Sequence, residues 1–304
     1  MTKDPNAGGS STEHVSARYR GLDTWPTLDL VAAMYEGQLA AAASVGPIVS
    51  DIAKAAEDAA TALARGGRLV YVGAGTSGRI GVQDGAELPP TFSWPFERLV
   101  FLMAGGTAAL LKSSEGAEDR AEDGARAIHD AKVGADDVVV GVAASGTTPY
   151  TVEALRAANA AGAVTIAIAN NPGSPLLDAA RHKLLANTGA EVIAGSTRMK
   201  AGTAQKIVLN LLSTTVMVRL GRVHDGLMVQ LRATNVKLAR RAKTIVAQIA
   251  GCSDADAAAF LEQVQGDVKT AILLALGAAD APGLLARHDG HLHAALAEIR
   301  TAKR

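Results

Sequence analysis

Residues 68–90 read RLVYVGAGTSGRIGVQDGAELPP. An apolar, β-branched run enters Gly73-Ala74-Gly75-Thr76-Ser77-Gly78. That is G-x-G-x-x-G after a strand, the spacing of a dinucleotide-binding turn. The loop also carries two hydroxyl residues, Thr76 and Ser77, and an acid, Glu87, stands before two prolines. Three functions fit the spacing: holding a dinucleotide, holding a simpler phosphate, or only keeping a βα turn tight.

A dinucleotide site also needs an acid at the C-terminal end of the second strand, to take the ribose hydroxyls. The second apolar run ends Met103-Ala104-Gly105-Gly106, and the nearest acid, Glu97, precedes that run. A phosphate site needs only hydroxyl donors and free backbone N–H groups at a helix start. Further along, Ala144-Ser145-Gly146-Thr147-Thr148-Pro149 repeats the arrangement, with hydroxyls at a strand end and proline at the first helical position. Thr148 also suits a plain helix N-cap.

Outward from the glycine loop, four short apolar runs alternate with helical stretches: 69–73, 99–105, 137–145 and 164–170, with a weaker fifth at 182–189. Strands apolar on both faces that alternate with helices predict a parallel sheet covered on both sides. Residues 28–65 read as helices, with Leu28, Val31, Ala32 and Tyr35, then Ile48, Ile52 and Ala55, at three- and four-residue steps. Residues 203–220 form the clearest helix, and Gly162 marks the end of another. After residue 221 no strand pattern returns. A long helix is expected over 227–249 and three shorter ones over 253–300, punctuated by Gly266, Gly277, Pro282 and Gly290. The expected organisation is an N-terminal segment with helices at 1–57, an α/β domain at 58–221 and a C-terminal helical region at 222–304.

Lys and Arg total 30, as do Asp and Glu, so no net positive field exists to drive nucleic-acid binding. The single Cys252 forms no intramolecular disulfide and fits a reducing compartment. The first residues, MTKDPNAGGSSTEH, lack the apolar core of a signal peptide, and no run of about 18 apolar residues suggests a membrane span. A cytoplasmic protein without membrane or nucleic-acid partners is expected.

Five stretches carry a resemblance: GAGTSGRIGVQDGAELPPTF (73–92), AGG (104–106) with EGAED (115–119), VVVGVAASGTTPY (138–150), NNPGSP (170–175) and GSTRMKAGTAQK (195–206). The sheet with Ser77 and the S-G-T-T run resembles the sugar isomerase (SIS) domain. The five stretches together resemble the N-acetylmuramic acid 6-phosphate etherase family, from about residue 11 to the C-terminus. The resemblance implies a three-layer αβα sandwich on a mostly parallel, flavodoxin-like sheet, plus a small C-terminal helical subdomain. Its residues 253–300 resemble a ubiquitin-associated module that packs or contacts a second subunit.

The resemblance also implies cleavage of a D-lactyl ether on a phosphorylated amino sugar, without metal or organic cofactor, in a homodimer whose active site the two subunits can share. The family's catalytic glutamates match Glu87 and Glu118, with Glu115 and Asp119 as neighbours of similar chemistry. Phosphosugar binding falls to Gly75, Thr76, Ser77, Ser145, Gly146, Thr147 and Thr148. Leu88 stands where the family usually has Cys, and His14 lies in a TE-x-x-S stretch usually more polar.

From below, a sugar ether at C3 becomes labile once the ring opens and C1 is an aldehyde, because the C2 proton is then acidic. Elimination and hydration need a base at C2 and an acid at the ether oxygen, which two carboxyl groups supply. Arg198, Lys200 and Lys206 are cations that could meet an anionic group or serve in ion pairs. His288, His291 and His293 lack an acid or Cys cluster and suit a surface. A non-catalytic phosphosugar sensor of the same fold and an aldose–ketose isomerase are the competing functions. Neither needs both glutamates. One spacing is awkward: ten residues of straight helix would hold Ser77 and Glu87 about 15 Å apart. Either Gly81 or Gly85 breaks the helix, or the acid serves a site shared between subunits.

Overall fold

A computed structural model describes residues 10–112, 114–231 and 236–302. The chain divides into two compact units, one of residues 1–86 and 97–214 and one of residues 87–96 and 215–304.

The first unit is an α/β layer structure. Its elements run α1 (Thr27–Ala43), α2 (Val49–Ala64), β1 (Leu69–Gly73) and α3 (Gly75–Ala86). After α4 (Leu88–Phe92), which belongs to the other unit, come β2 (Leu99–Met103), α5 (Ala121–Asp130), β3 (Val138–Ala143), α6 (Pro149–Ala160), β4 (Val164–Ala169), α7 (Pro175–Asp178) and β5 (His182–Leu185). The unit boundary falls inside α8 (Lys200–Arg219). All five strands are parallel in the order β2-β1-β3-β4-β5, the flavodoxin-like order. Every residue of β1, β3 and β4 is buried, which explains why these runs are apolar throughout rather than alternating. The core on one side of the sheet gathers Val70, Val72, Val139, Tyr150, Leu155 and Leu176.

Asp137 fastens the start of β3 beside β1. Its Oδ1 accepts from the Arg68 backbone N–H at 2.7 Å, and its Oδ2 from the Arg68 guanidinium at 2.7 Å and the Gly134 N–H at 3.0 Å. Burial alone would raise its pKa, but these donors outweigh it and hold the carboxyl below its usual range.

Helix α3 runs unbroken through Gly81 and Gly85 to Ala86, so neither glycine is the expected break. Both serve packing instead. A Cβ on Gly81 would touch the Tyr71 side chain at 3.5 Å, and one on Gly85 would reach the rings of Phe101 and Tyr71 at 2.5 and 2.8 Å. Asp84, on the same helix and 2% exposed, accepts from Tyr71 Oη at 2.8 Å, Asn210 Nδ2 at 2.6 Å and Ser213 Oγ at 3.2 Å, tying α3 to β1 and α8.

In α1 the three- and four-residue rhythm marks the helix, but the buried residues are Ala33, Gly37 and Ala41. Leu28, Val31, Tyr35 and Leu39 are exposed by 78, 56, 63 and 53%. The helical run Thr27–Ala64 also contains an 18-residue window of mean hydropathy 1.3, long and apolar enough by composition to cross a membrane, contrary to the expectation above. About a third of that window is buried in the fold; α2 buries Ile52, Ala55, Ala56, Ala59 and Leu63, while Asp51 and Lys54 pair on its exposed side.

In the second unit a strand pair does return. β6 (Val223–His224) and β7 (Leu227–Met228) form a two-residue antiparallel hairpin around Asp225 and Gly226, whose positive φ values of 47° and 75° suit a type I′ turn. The expected helix over 227–249 is α9, Val236–Ala250, and positions 232–235 lie outside the described residues. Four helices follow rather than three: α10 (Asp254–Gln263), α11 (Val268–Ala275), α12 (Ala281–Arg287) and α13 (Leu292–Ala302). Ser253, Asp267 and Asp280 cap α10, α11 and α12 by accepting backbone N–H bonds. Val246, Ala271, Ile272, Leu273 and Leu292 lie in their common core.

Candidate active site

The loops after β1 and β3 meet at one pocket of about 360 Å³. They leave adjacent strands at the point where the strand order reverses, which is where open α/β sheets bind ligands. Gly75, Thr76 and Ser77 line it from the first loop, and Ser145, Thr147 and Thr148 from the second. Glu118 and Asp119 complete one wall, Glu13 and Thr197 contribute elsewhere, and Glu115 is not among the lining residues.

Each group is held by local structure. Helix α3 opens at Gly75 and presents its first backbone N–H groups and positive dipole end to the pocket. Helix α6 opens at Pro149, which has no N–H, and the N–H groups of Tyr150, Thr151 and Val152 are already bonded, so α6 offers only its dipole end. Thr148 occupies the N-cap of α6, but its hydroxyl makes no capping bond. Ser145 Oγ accepts from the Thr147 N–H at 3.2 Å and the Thr147 hydroxyl at 3.0 Å, which closes the turn. Gly146, at φ +69°, lies behind the lining, and its carbonyl accepts from the Leu176 N–H at 2.9 Å. The carbonyl of Glu118 accepts from the Tyr150 N–H at 3.0 Å, so the EGAED turn is pinned to the first turn of α6.

The charge pattern is one-sided. No Lys, Arg or His lines the pocket among the described residues, whereas Glu13, Glu118 and Asp119 do. Lys200 takes a structural position: it is 8% exposed, and its Nζ donates to the carbonyls of Thr188 at 2.6 Å and Ala190 at 2.8 Å. Burial lowers its pKa, partly offset by the charge of Glu191. Arg198 is exposed and Lys206 half-buried, and neither lines the pocket. An anion here meets hydroxyls and backbone N–H groups, and a neutral donor meets carboxylates.

The family model of the glucokinase regulatory protein N-terminal SIS domain matches residues 51–159. The N-acetylmuramic acid 6-phosphate etherase of Deinococcus radiodurans is 51% identical over 291 residues, 94% of this chain and 95% of the relative. The chain belongs to the N-acetylmuramic acid 6-phosphate etherase family. Another etherase, from Cronobacter sakazakii, is 46% identical over 294 residues, 96% of this chain and 99% of its own. This etherase-family chain also shares its fold with a candidate phosphosugar isomerase involved in capsule formation from Bacteroides fragilis. The TM-score is 0.50 at 22% identity, over 66% of this chain and 99% of that one.

In this etherase-family chain, the pocket gathers Gly75, Thr76, Ser77, Glu118, Ser145, Thr147 and Thr148 from the residues expected at the site. Glu87 belongs to the second unit, at the N-cap of α4, and is exposed. Leu88 beside it is buried. Glu13, Asp119 and Thr197 were not expected in the lining. Glu13 sits in the TE-x-x-S stretch, whose resemblance to the family was its only signal.

Proposed function

We propose that this chain cleaves the D-lactyl ether of N-acetylmuramic acid 6-phosphate, giving N-acetylglucosamine 6-phosphate and D-lactate. The observation that carries this reading is the joining of two Ser/Thr/Gly loops and Glu118 in one pocket of an etherase-family chain. The phosphate lies against Ser77, Ser145, Thr147 and Thr148 and the open end of α3, where hydroxyls and the N–H groups of α3 replace side-chain cations.

With the ring open, the Glu118 carboxylate takes the C2 proton. The electron pair becomes the C2–C3 double bond as the C3–oxygen bond breaks. Glu87 gives its proton to the departing lactate oxygen, then takes one from a water that adds at C3, and the proton held by Glu118 returns to C2. Two carboxyl groups of opposite initial protonation state suffice for this sequence.

Glu87 acts, in this reading, on the pocket of a second copy in a homodimer. Two features support it. Helix α3, twelve residues without a break, extends about 18 Å before Glu87 is reached. The exposed stripe Leu28, Val31, Tyr35 and Leu39 on α1 offers apolar surface for a second copy to cover. The lone Cys252 suits a reducing cytoplasm.

The test is incubation with N-acetylmuramic acid 6-phosphate in heavy-oxygen water. D-Lactate with its original ether oxygen, and sugar labelled at C3, is the expected result. Absence of lactate release would leave a phosphosugar-binding protein and sink the etherase.

A further inference from the structure

The N-terminal segment enters the pocket from far away in sequence. Thr12 is fully buried, and its carbonyl accepts from the Gly195 N–H at 2.9 Å. Asn171 holds the same residues from the other side. Its Oδ1 accepts from Ser11 Oγ at 2.6 Å and the Thr12 N–H at 3.4 Å, while its Nδ2 donates to Thr12 Oγ1 at 3.2 Å. The same Nδ2 donates to the carbonyl of Ala144 at 2.8 Å, directly before Ser145. Two anchors therefore fix the next residue, Glu13, relative to the phosphate-binding loop.

Room is made for Glu13. A Cβ on Gly195 would stand 2.8 Å from Glu13 Oε2, and Gly195 adopts φ +75°, a conformation that side-chain-bearing residues rarely take. The Glu13 carboxylate lines the pocket and has no hydrogen-bond or ion-pair partner among the described residues. A charged acceptor held in a pocket that also receives a phosphate is repelled by that phosphate, so it must face the uncharged part of the ligand. There it can take only a donor, a hydroxyl or an amide N–H.

We propose that Glu13 is a substrate-binding residue whose carboxylate accepts a hydrogen bond from a neutral donor of the sugar, orienting it against Glu118. The inference rests on the phosphosugar reading above, not on the elimination chemistry. It also explains why a segment so distant in sequence is bonded to the carbonyl next to Ser145: the sugar is gripped at both ends by parts that share one anchor.

Calorimetric binding of N-acetylglucosamine 6-phosphate and of inorganic phosphate tests it, using the full chain and its Glu13→Ala and Glu13→Gln variants. Glu13 is exposed, so both variants should fold, which thermal melting checks. Glu13→Ala should weaken the sugar phosphate by about 10- to 100-fold, with a smaller loss for Glu13→Gln, whose amide oxygen still accepts. Inorganic phosphate should bind both variants as well as wild type or better. Unchanged sugar-phosphate affinity, loss in step with phosphate, or wild type that fails to bind the sugar phosphate overturns the proposal. Lactate release by wild type is measured separately. Glu13-dependent binding without lactate sinks the etherase and leaves this inference standing.

Discussion

Asn171 holds Thr12 at both ends of its side-chain amide, the oxygen accepting from the Thr12 N–H and the nitrogen donating to the Thr12 hydroxyl. The two residues are 159 positions apart, so this contact alone closes most of the first unit's chain into a loop. Asn171→Ala leaves the buried Thr12 hydroxyl and N–H without these partners and the Ala144 carbonyl without its donor. Stability should fall by about 1–3 kcal/mol. Hydrogen exchange at Gly195, whose N–H bonds to Thr12, should accelerate. Unchanged exchange would show that the segment stays in place without Asn171.

Glu118 and Glu87 are both exposed and carry no side-chain bond whose loss would unfold the protein. Glu118→Gln and Glu87→Gln should each lower kcat about 10²- to 10⁴-fold with little change in melting temperature. Mixing them is more informative. If Glu87 serves the partner's pocket, a mixed dimer carrying one mutation on each subunit keeps one intact site. Equal co-expression should then recover roughly a quarter of wild-type activity. Recovery no greater than either single variant would place both glutamates within one chain.

Asp84 receives three side-chain donors in a site with almost no solvent. Asp84→Ala leaves those donors unpaired and should cost about 3 kcal/mol or more. Asp84→Asn keeps one acceptor oxygen and should cost less. Urea unfolding measures both. Equal losses would mean that packing, not the hydrogen bonds, sets the effect.

Lys269, 5% exposed, donates its Nζ to the Gly290 carbonyl at 2.7 Å. Burial, reinforced by the charge of Arg222 and opposed by Asp267, lowers its pKa from 10.5 to about 8. Between about 8 and 10.5 the unfolded chain therefore binds more protons at this site than the folded one. The site's contribution to stability then rises with pH across that window and is flat on either side. Below about 8 the folded state carries the full cost of a buried ammonium. Lys269→Met should remove this rise, read as the wild-type-minus-variant difference in urea midpoint at several pH values. A difference that does not vary with pH would contradict the lowered pKa.

The sheet was legible because β1, β3 and β4 are buried on both faces, which writes unbroken apolar runs into the sequence. The two Ser/Thr/Gly loops that share the pocket were legible because hydroxyls and glycines cluster where strands end. Other features left weaker marks. Two-residue strands such as β6 and β7 are too short for alternation, and only Asp225-Gly226 signalled the turn. Gly81 and Gly85 read as possible breaks because a sequence does not show the rings of Tyr71 and Phe101 beneath them. The apolar rhythm of α1 identified a helix but not which face is buried, since Ala33, Gly37 and Ala41 carry little hydropathic contrast. Glu13 was illegible as a pocket residue because its position depends on Asn171 and Gly195, both more than 150 residues away.

The short stretch from Glu87 to Phe96 belongs to the second unit although it interrupts the first. Arg222 secures it: its guanidinium lies 4.9 Å from the Trp94 ring centroid and donates to the carbonyls of Phe92 and Ser93. During synthesis this stretch leaves the ribosome long before Arg222 exists. At about 5–20 residues per second the wait is roughly 6–25 s, far longer than collapse of a short chain needs. Trp94 must spend that interval without Arg222, so this stretch can reach its native contacts only after nearly three quarters of the chain has been made.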